Sequence, residues 1–225
     1  NWDVSSGTNF SYMFTDTPFN QDISQWDVSS GTNLSYMFSN GNASMSSSFN
    51  QDISNWDVSA GTNFNGMFYY ADVFNQDIGD WDVSSGTDFR NVFGGATAFN
   101  QDISKWDVSS GTNFSNMFGE ATVFNQDIRR WNVSNGTAFV AMFTNAKAFD
   151  QDISCWSINY NNSIYTVLNM FSGADAMLAK GWRVNPLRFD DRRVSGSDNG
   201  ETITGSDAND VILGLNGNDY LYGGD

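Results

Sequence analysis

Apolar side chains recur along most of this chain with a long, regular period. A Trp-x-Val or Trp-x-Ile triplet begins at Trp2, Trp26, Trp56, Trp81, Trp106, Trp131 and Trp156. The last four steps are 25 residues each and the first is 24. The step from Trp26 to Trp56 is 30 because of a Ser- and Asn-rich insertion inside 40–49. A Phe-Asn-Gln-Asp segment starts at Phe19, Phe49, Phe74, Phe99 and Phe124, and reads Phe-Asp-Gln-Asp from Phe149. A fixed period of this size predicts a solenoid, a propeller or a linear array. Within one unit, Ile23, Trp26 and Val28 have the L-x-x-L-x-L spacing of a short strand entering a coil. Gly31 opens a turn, and Leu34, Met37 and Phe38 stand at i, i+3 and i+4, which predicts a short, 3₁₀-like helical turn. Asn20 and Asp22 mark the loop leading to the next strand. A single unit has too few apolar side chains to fold alone, so neighbours are expected to share Trp, Val, Met and Phe layers and a parallel backbone ladder.

The unit I-S-x-W-D-V-S-S-G-T-x-F-x-x-M-F-x-x-A-x-x-F-N-Q-D resembles the bacterial surface leucine-rich repeats of the BspA type. The similar branch has a period of about 26 residues. The resemblance covers residues 1 to about 171. It implies an α/β solenoid: a right-handed leucine-rich-repeat coil with a parallel sheet on one face and short helical turns on the other. It also implies a surface-exposed protein of the adhesive kind. Phe10, Phe64, Phe89, Phe114 and Phe139 stand where that family commonly has Met, a change of packing rather than of role.

Three regions follow. Residues 1–156 are read as the solenoid and 157–195 as its C-terminal cap, which includes Arg188, Arg192 and Arg193. Residues 196–225 change period: GSDNGETIT, GSDANDVIL and GLNGNDYLY are consecutive nine-residue units, and GGD starts another. These resemble the calcium-binding nonapeptides of RTX proteins and imply the start of a parallel β-roll. On that resemblance Glu201, Asp210 and Asp219 are the metal ligands, with Asp210 and Asp219 the best placed. A carboxylate in a glycine-rich turn suits a hard cation such as calcium. Glu201 for Asp, and Ser197, Ser206 and Leu215 for the second Gly, depart from the pattern. RTX repeats further imply type I secretion, hence an extracellular or cell-surface location. The chain starts inside one repeat and ends inside another motif, so it is expected to be a monomeric segment of a longer polypeptide.

Composition narrows the chemistry. With 26 acidic and 10 basic residues the net charge is −16, which argues against nucleic acid and against an anionic membrane. No apolar run is long enough to insert in a bilayer, and no signal peptide is visible. The absence of His removes His-based triads, and a lone Cys155 gives no internal disulfide. Carboxylates repeat identically from unit to unit, whereas catalysis needs one unique constellation, so no enzyme is expected.

Binding is the expected activity, and the outward columns are its candidates. Asp3, Asp27, Asp57, Asp82 and Asp107 form one column, continued by Asn132 and Ser157. Two readings stand: each Asp bonds nearby Ser or backbone groups, or the column lines a groove for a cation, peptide or glycan. The second column, Asp22, Asp52, Asp77, Asp102, Asp127 and Asp152, reads as turn chemistry. The position before each Trp varies, as Gln25, Asn55, Asp80, Lys105, Arg130 and Cys155. Asp80 and Asp82 with Lys105, Arg129 and Arg130 make a bipolar strip. Tyr69 and Tyr70 replace small residues in one loop, where they would stack on a sugar or a partner. The leading expectation is an adhesion module for a surface protein, peptide or glycan of another cell. The alternatives are a spacer without a ligand and an ice-binding surface built on Ser29, Ser59, Ser84 and Ser109 with Thr32, Thr62, Thr87 and Thr112.

Overall fold

The computed structural model describes residues 2–41, 48–158, 164–179, 202–204 and 220–222. The chain divides into two compact units, Asn1–Val184 and Asn185–Asp225.

In the first unit, successive repeats are coils laid in register on one another. The Ile-x-x-Trp-x-Val segment, expected as a strand, is instead two consecutive reverse turns. In the coil around Trp106 they are closed by Trp106 N–H to the Ile103 carbonyl at 3.1 Å and by Gly111 N–H to the Val108 carbonyl at 2.8 Å. An aspartate nucleates each turn: Asp102 Oδ1 and Asp107 Oδ1 accept the amides of Ser104 and Ser109, both at 2.9 Å.

Parallel pairing lies one segment further on, where a helical turn was expected. Isolated parallel bridges run Asn9–Asn33–Asn63–Asp88–Asn113–Ala138. Beyond each bridge, alternate amides point to the next coil. Phe114, Asn116, Phe118 and Glu120 donate to the carbonyls of Ala138, Val140, Met142 and Thr144 at 2.7–2.9 Å. Left-handed backbone at Asn116 and Glu120 breaks any helix between these bonds and leaves a series of short turns. The same pair of left-handed positions recurs at Gly66 and Tyr70, Asn91 and Gly95, and Ala141 and Asn145. Pairing continues into 166–172, where Thr166, Leu168, Met170 and Ser172 accept from the coil before. The regular elements described in this unit are a 3₁₀ turn, Ile164–Val167, and a helix α1, Asp175–Ala179.

The interior is columns of identical side chains. Phe68, Phe93, Phe118, Phe143 and Phe171 stack with centroids 5.6–5.8 Å apart. Phe74, Phe99, Phe124 and Phe149 form a second column at 6.0–6.1 Å. Within a coil, Phe93 lies only 3.9 Å from Phe99. Each buried ring is worth about 1.5–3 kcal/mol. The indoles from Trp56 to Trp156 are buried, and each reaches back one coil: Trp106 Nε1 donates to the Ile78 carbonyl at 2.9 Å and Trp131 Nε1 to that of Ile103 at 3.1 Å. A buried indole N–H without a partner is costly, so this bond fixes the register of these five Trp residues. An amide ladder adds a further constraint. Asn100 Oδ1 accepts from Asn125 N–H at 2.9 Å and Gln126 Nε2 at 3.0 Å, and the arrangement repeats with Asn125, Asp150 and Gln151.

The second unit contains a parallel pair, β1 (Thr202–Thr204) with β2 (Tyr220–Tyr222). Thr202 pairs with Tyr220, an offset of 220 − 202 = 18 residues, or two nine-residue units. Glu201, Asp210 and Asp219 lie outside the described residues.

Candidate ligand-binding surface

The acidic column is taken up by local bonds. Asp57 Oδ1 accepts Ser59 N–H at 3.0 Å and Ser59 Oγ at 2.6 Å, and Asp82 and Asp107 hold Ser84 and Ser109 in the same way. The serine hydroxyls and then the serine amides pull Asp27, Asp82 and Asp107 below the usual carboxylate range, against a smaller repulsion from the neighbouring Asp at Asp27 and Asp107. The Asp22 column closes turns, as expected: Asp22, Asp52, Asp77, Asp102, Asp127 and Asp152 each accept the amide two residues on.

The bipolar strip is largely satisfied from within. Lys105 Nζ lies 2.7 Å from Asp80 Oδ1, one coil back, with both side chains mostly in solvent. Asp80 first by its hydrogen bond and then by its charge raises the Lys105 pKa. Arg129 pairs with Asp127 at 2.9 Å, inside its own turn. Arg130 is exposed, without an ion pair among the described residues. Cys155 is exposed, and its thiol donates to the Arg129 carbonyl at 3.1 Å. Exposed pairs of this kind hold side chains in place without adding much stability.

Tyr69 and Tyr70 belong to a different and larger group. Their rings lie 4.5 Å apart, and Tyr69 meets Tyr36 edge to face at 6.3 Å. Tyr36 stacks on Tyr12 at 5.0 Å with planes 13° apart. The Tyr70 hydroxyl reaches over the Gly94–Gly95 coil toward Glu120 Oε2 at 3.5 Å. Burial raises the Tyr69 phenol to about 12, helped by Tyr70, so it stays protonated across the physiological range. Two glycines make room: a Cβ on Gly66 would strike the Tyr36 ring, and one on Gly95 would strike the Tyr70 ring. Tyr36 is thus stacked on Tyr12 and rests against Gly66, and Tyr70 rests against Gly95. Tyr12 is 59% exposed, and Tyr36, Tyr69 and Tyr70 are half-buried. No hydrogen bond or ion pair joins this row to the charged strip among the described residues.

Sequence reading pointed to Tyr69 and Tyr70 but not to Tyr12, Tyr36 or Glu120. The insertion in 40–49 pushes Tyr36 out of a simple 25-residue alignment. The available signal was a Tyr followed one unit later by Gly at the same position, as Tyr36 to Gly66 and Tyr70 to Gly95.

In-register coils, shared aromatic columns and unit-to-unit hydrogen bonds define a tandem-repeat protein. Two overlapping segments, residues 1–101 and 76–182, match the family described as Mycoplasma protein of unknown function, DUF285, and the chain belongs to that family. The double match fits a BspA-type repeat protein. No curated protein and no solved structure matches the chain.

Proposed function

We propose that the chain is a ligand-binding, adhesive segment of a secreted or cell-surface bacterial protein. In this reading the first unit is a right-handed leucine-rich-repeat solenoid of the branch whose period is about 26 residues. The supporting observation is the contrast between inner and outer positions. Inner residues repeat from coil to coil, whereas the outward face carries a local row of tyrosines that the stack does not require. Coils with Asn91, Asn116 or Ala141 at the Tyr36 position pair equally well. Solvent-facing aromatic groups of this kind are enriched at binding surfaces.

The tail supports a companion role for calcium. An 18-residue parallel offset is what two nonapeptides per turn of a β-roll would give. Glu201, Asp210 and Asp219 would supply the oxygen ligands, and the ion would stiffen this part of the protein.

Probing the purified chain on glycan and peptide arrays tests the reading. Reproducible binding that is lost on replacing Tyr36 and Tyr69 by Ala, with the fold intact, supports it. Silent arrays favour the spacer, and thermal hysteresis alongside silence would favour the ice surface.

A further inference from the structure

Resting on that reading, the geometry points to one class of partner: we propose that the tyrosine row receives an extended peptide segment of a protein, with a Lys or Arg of that segment directed to Glu120.

Sugars are held chiefly against open aromatic faces, and in the middle of this row the rings are half-buried against their neighbours; Tyr12, at its end, is the ring left largely open, at 59% exposure. Tyr36 is stacked on Tyr12 and rests against Gly66, and Tyr70 rests against Gly95. The row therefore offers phenol hydroxyls on rings packed against one another. Tyr12 and Tyr36 hydroxyls have no hydrogen-bond partner among the described residues. Such a row of donors matches the regularly spaced carbonyls of an extended main chain, the mode in which backbone bonds give affinity and side chains give selectivity. Rigid tyrosines supply contact area at low cost in conformational freedom.

Charge selects among peptides. Glu120 stands at one end of the row, and its contact with Tyr70 is a long 3.5 Å bond that a cation would displace. Arg90, whose charge Tyr36 feels, is already held by Asp88 at 2.7 Å. With a net charge of −16 the whole chain attracts basic segments and repels acidic ones.

A phage-displayed library of random dodecapeptides, panned on the full chain and scored beside a glycan array, provides the test. Selected peptides should be rich in Lys and Arg, and their affinity should fall as salt rises. Tyr36→Phe and Tyr69→Phe keep the stacking but remove hydroxyls, and each should weaken binding by roughly threefold to tenfold. Glu120→Gln should weaken it by at least about tenfold. Circular-dichroism melts matching the parent chain would establish that the variants fold. Peptides whose affinity ignores all three site substitutions would overturn the inference. Binding of glycans alone would overturn it too while leaving the ligand-binding reading intact, and silence toward both libraries would count against both.

Discussion

Substituting Gly95 by Ala tests how the tyrosine row is built. Two separate reasons could keep a glycine there. One is backbone: Gly95 has φ of 72°. Yet Tyr70, Glu120 and Asn145, at the same position of other coils, take φ of 52°, 60° and 57° with side chains attached. Left-handed backbone costs an Ala about 1–2 kcal/mol, a cost the array already bears elsewhere. The second reason is the Tyr70 ring, whose Cδ1, Cε1 and Cγ occupy the place of the new methyl. Crowding of that kind costs about 1–3 kcal/mol. The total expected loss is therefore about 2–5 kcal/mol. In a Tyr70→Ala background only the backbone share should remain, leaving a coupling of about 1–3 kcal/mol between the two sites. Urea unfolding followed by tryptophan fluorescence measures all four proteins of the cycle. Gly95→Ala costing the same in both backgrounds would refute the ring-on-glycine arrangement.

Three other outcomes are expected. Phe93→Ala, which opens a space where Phe68, Phe99, Phe118 and Trp106 meet, should lose about 3–5 kcal/mol in the same assay; a loss below about 1 kcal/mol would contradict a shared ring column. Asp27, Asp82 and Asp107 have folded-state pKa values below their unfolded ones, so their stabilisation is complete above about pH 4 and disappears as pH falls through the lowered values. The melting temperature should accordingly drop on acidification below about pH 4, and a rise there would mean that relief of carboxylate repulsion outweighs the serine bonds. Calcium should raise the melting temperature of the second unit and slow amide exchange in 196–225, and chelator should reverse both; identical exchange with and without the ion would dismiss the metal proposal.

Much of the packing could be read from the sequence, because a repeat writes its interior several times over. Trp81, Phe93, Phe99 and Val108 were placed in the core by recurrence alone, and all are buried. The position of the backbone pairing was harder to read. Apolar residues at i, i+3 and i+4, such as Leu34, Met37 and Phe38, fit a helical turn and a run of short turns equally well. What separates the two is left-handed backbone at this position, which Gly66, Asn91 and Asn116 suit but which Tyr36 and Ala141 do not announce. The charged strip looked free because Asp80 and Lys105 are a whole unit apart in sequence, yet stacking puts them 2.7 Å apart. The tyrosine row was half visible for the converse reason: Tyr69 and Tyr70 adjoin in sequence, whereas Tyr36 and Glu120 reach them only through the stack.

The alternate amides between Phe114 and Glu120 all aim the same way, as do their counterparts in the coils on either side. Peptide dipoles of about 3.5 D are thereby aligned head to tail in four files along the stack, against a single opposing file in which Thr112 N–H and its counterparts point back to the preceding coil. The surplus of forward files gives the stack a net electrical polarity, and its dipole grows with each unit added. Duplicating or deleting one unit during evolution would alter reach and axial field together, without disturbing the chemistry of any single layer.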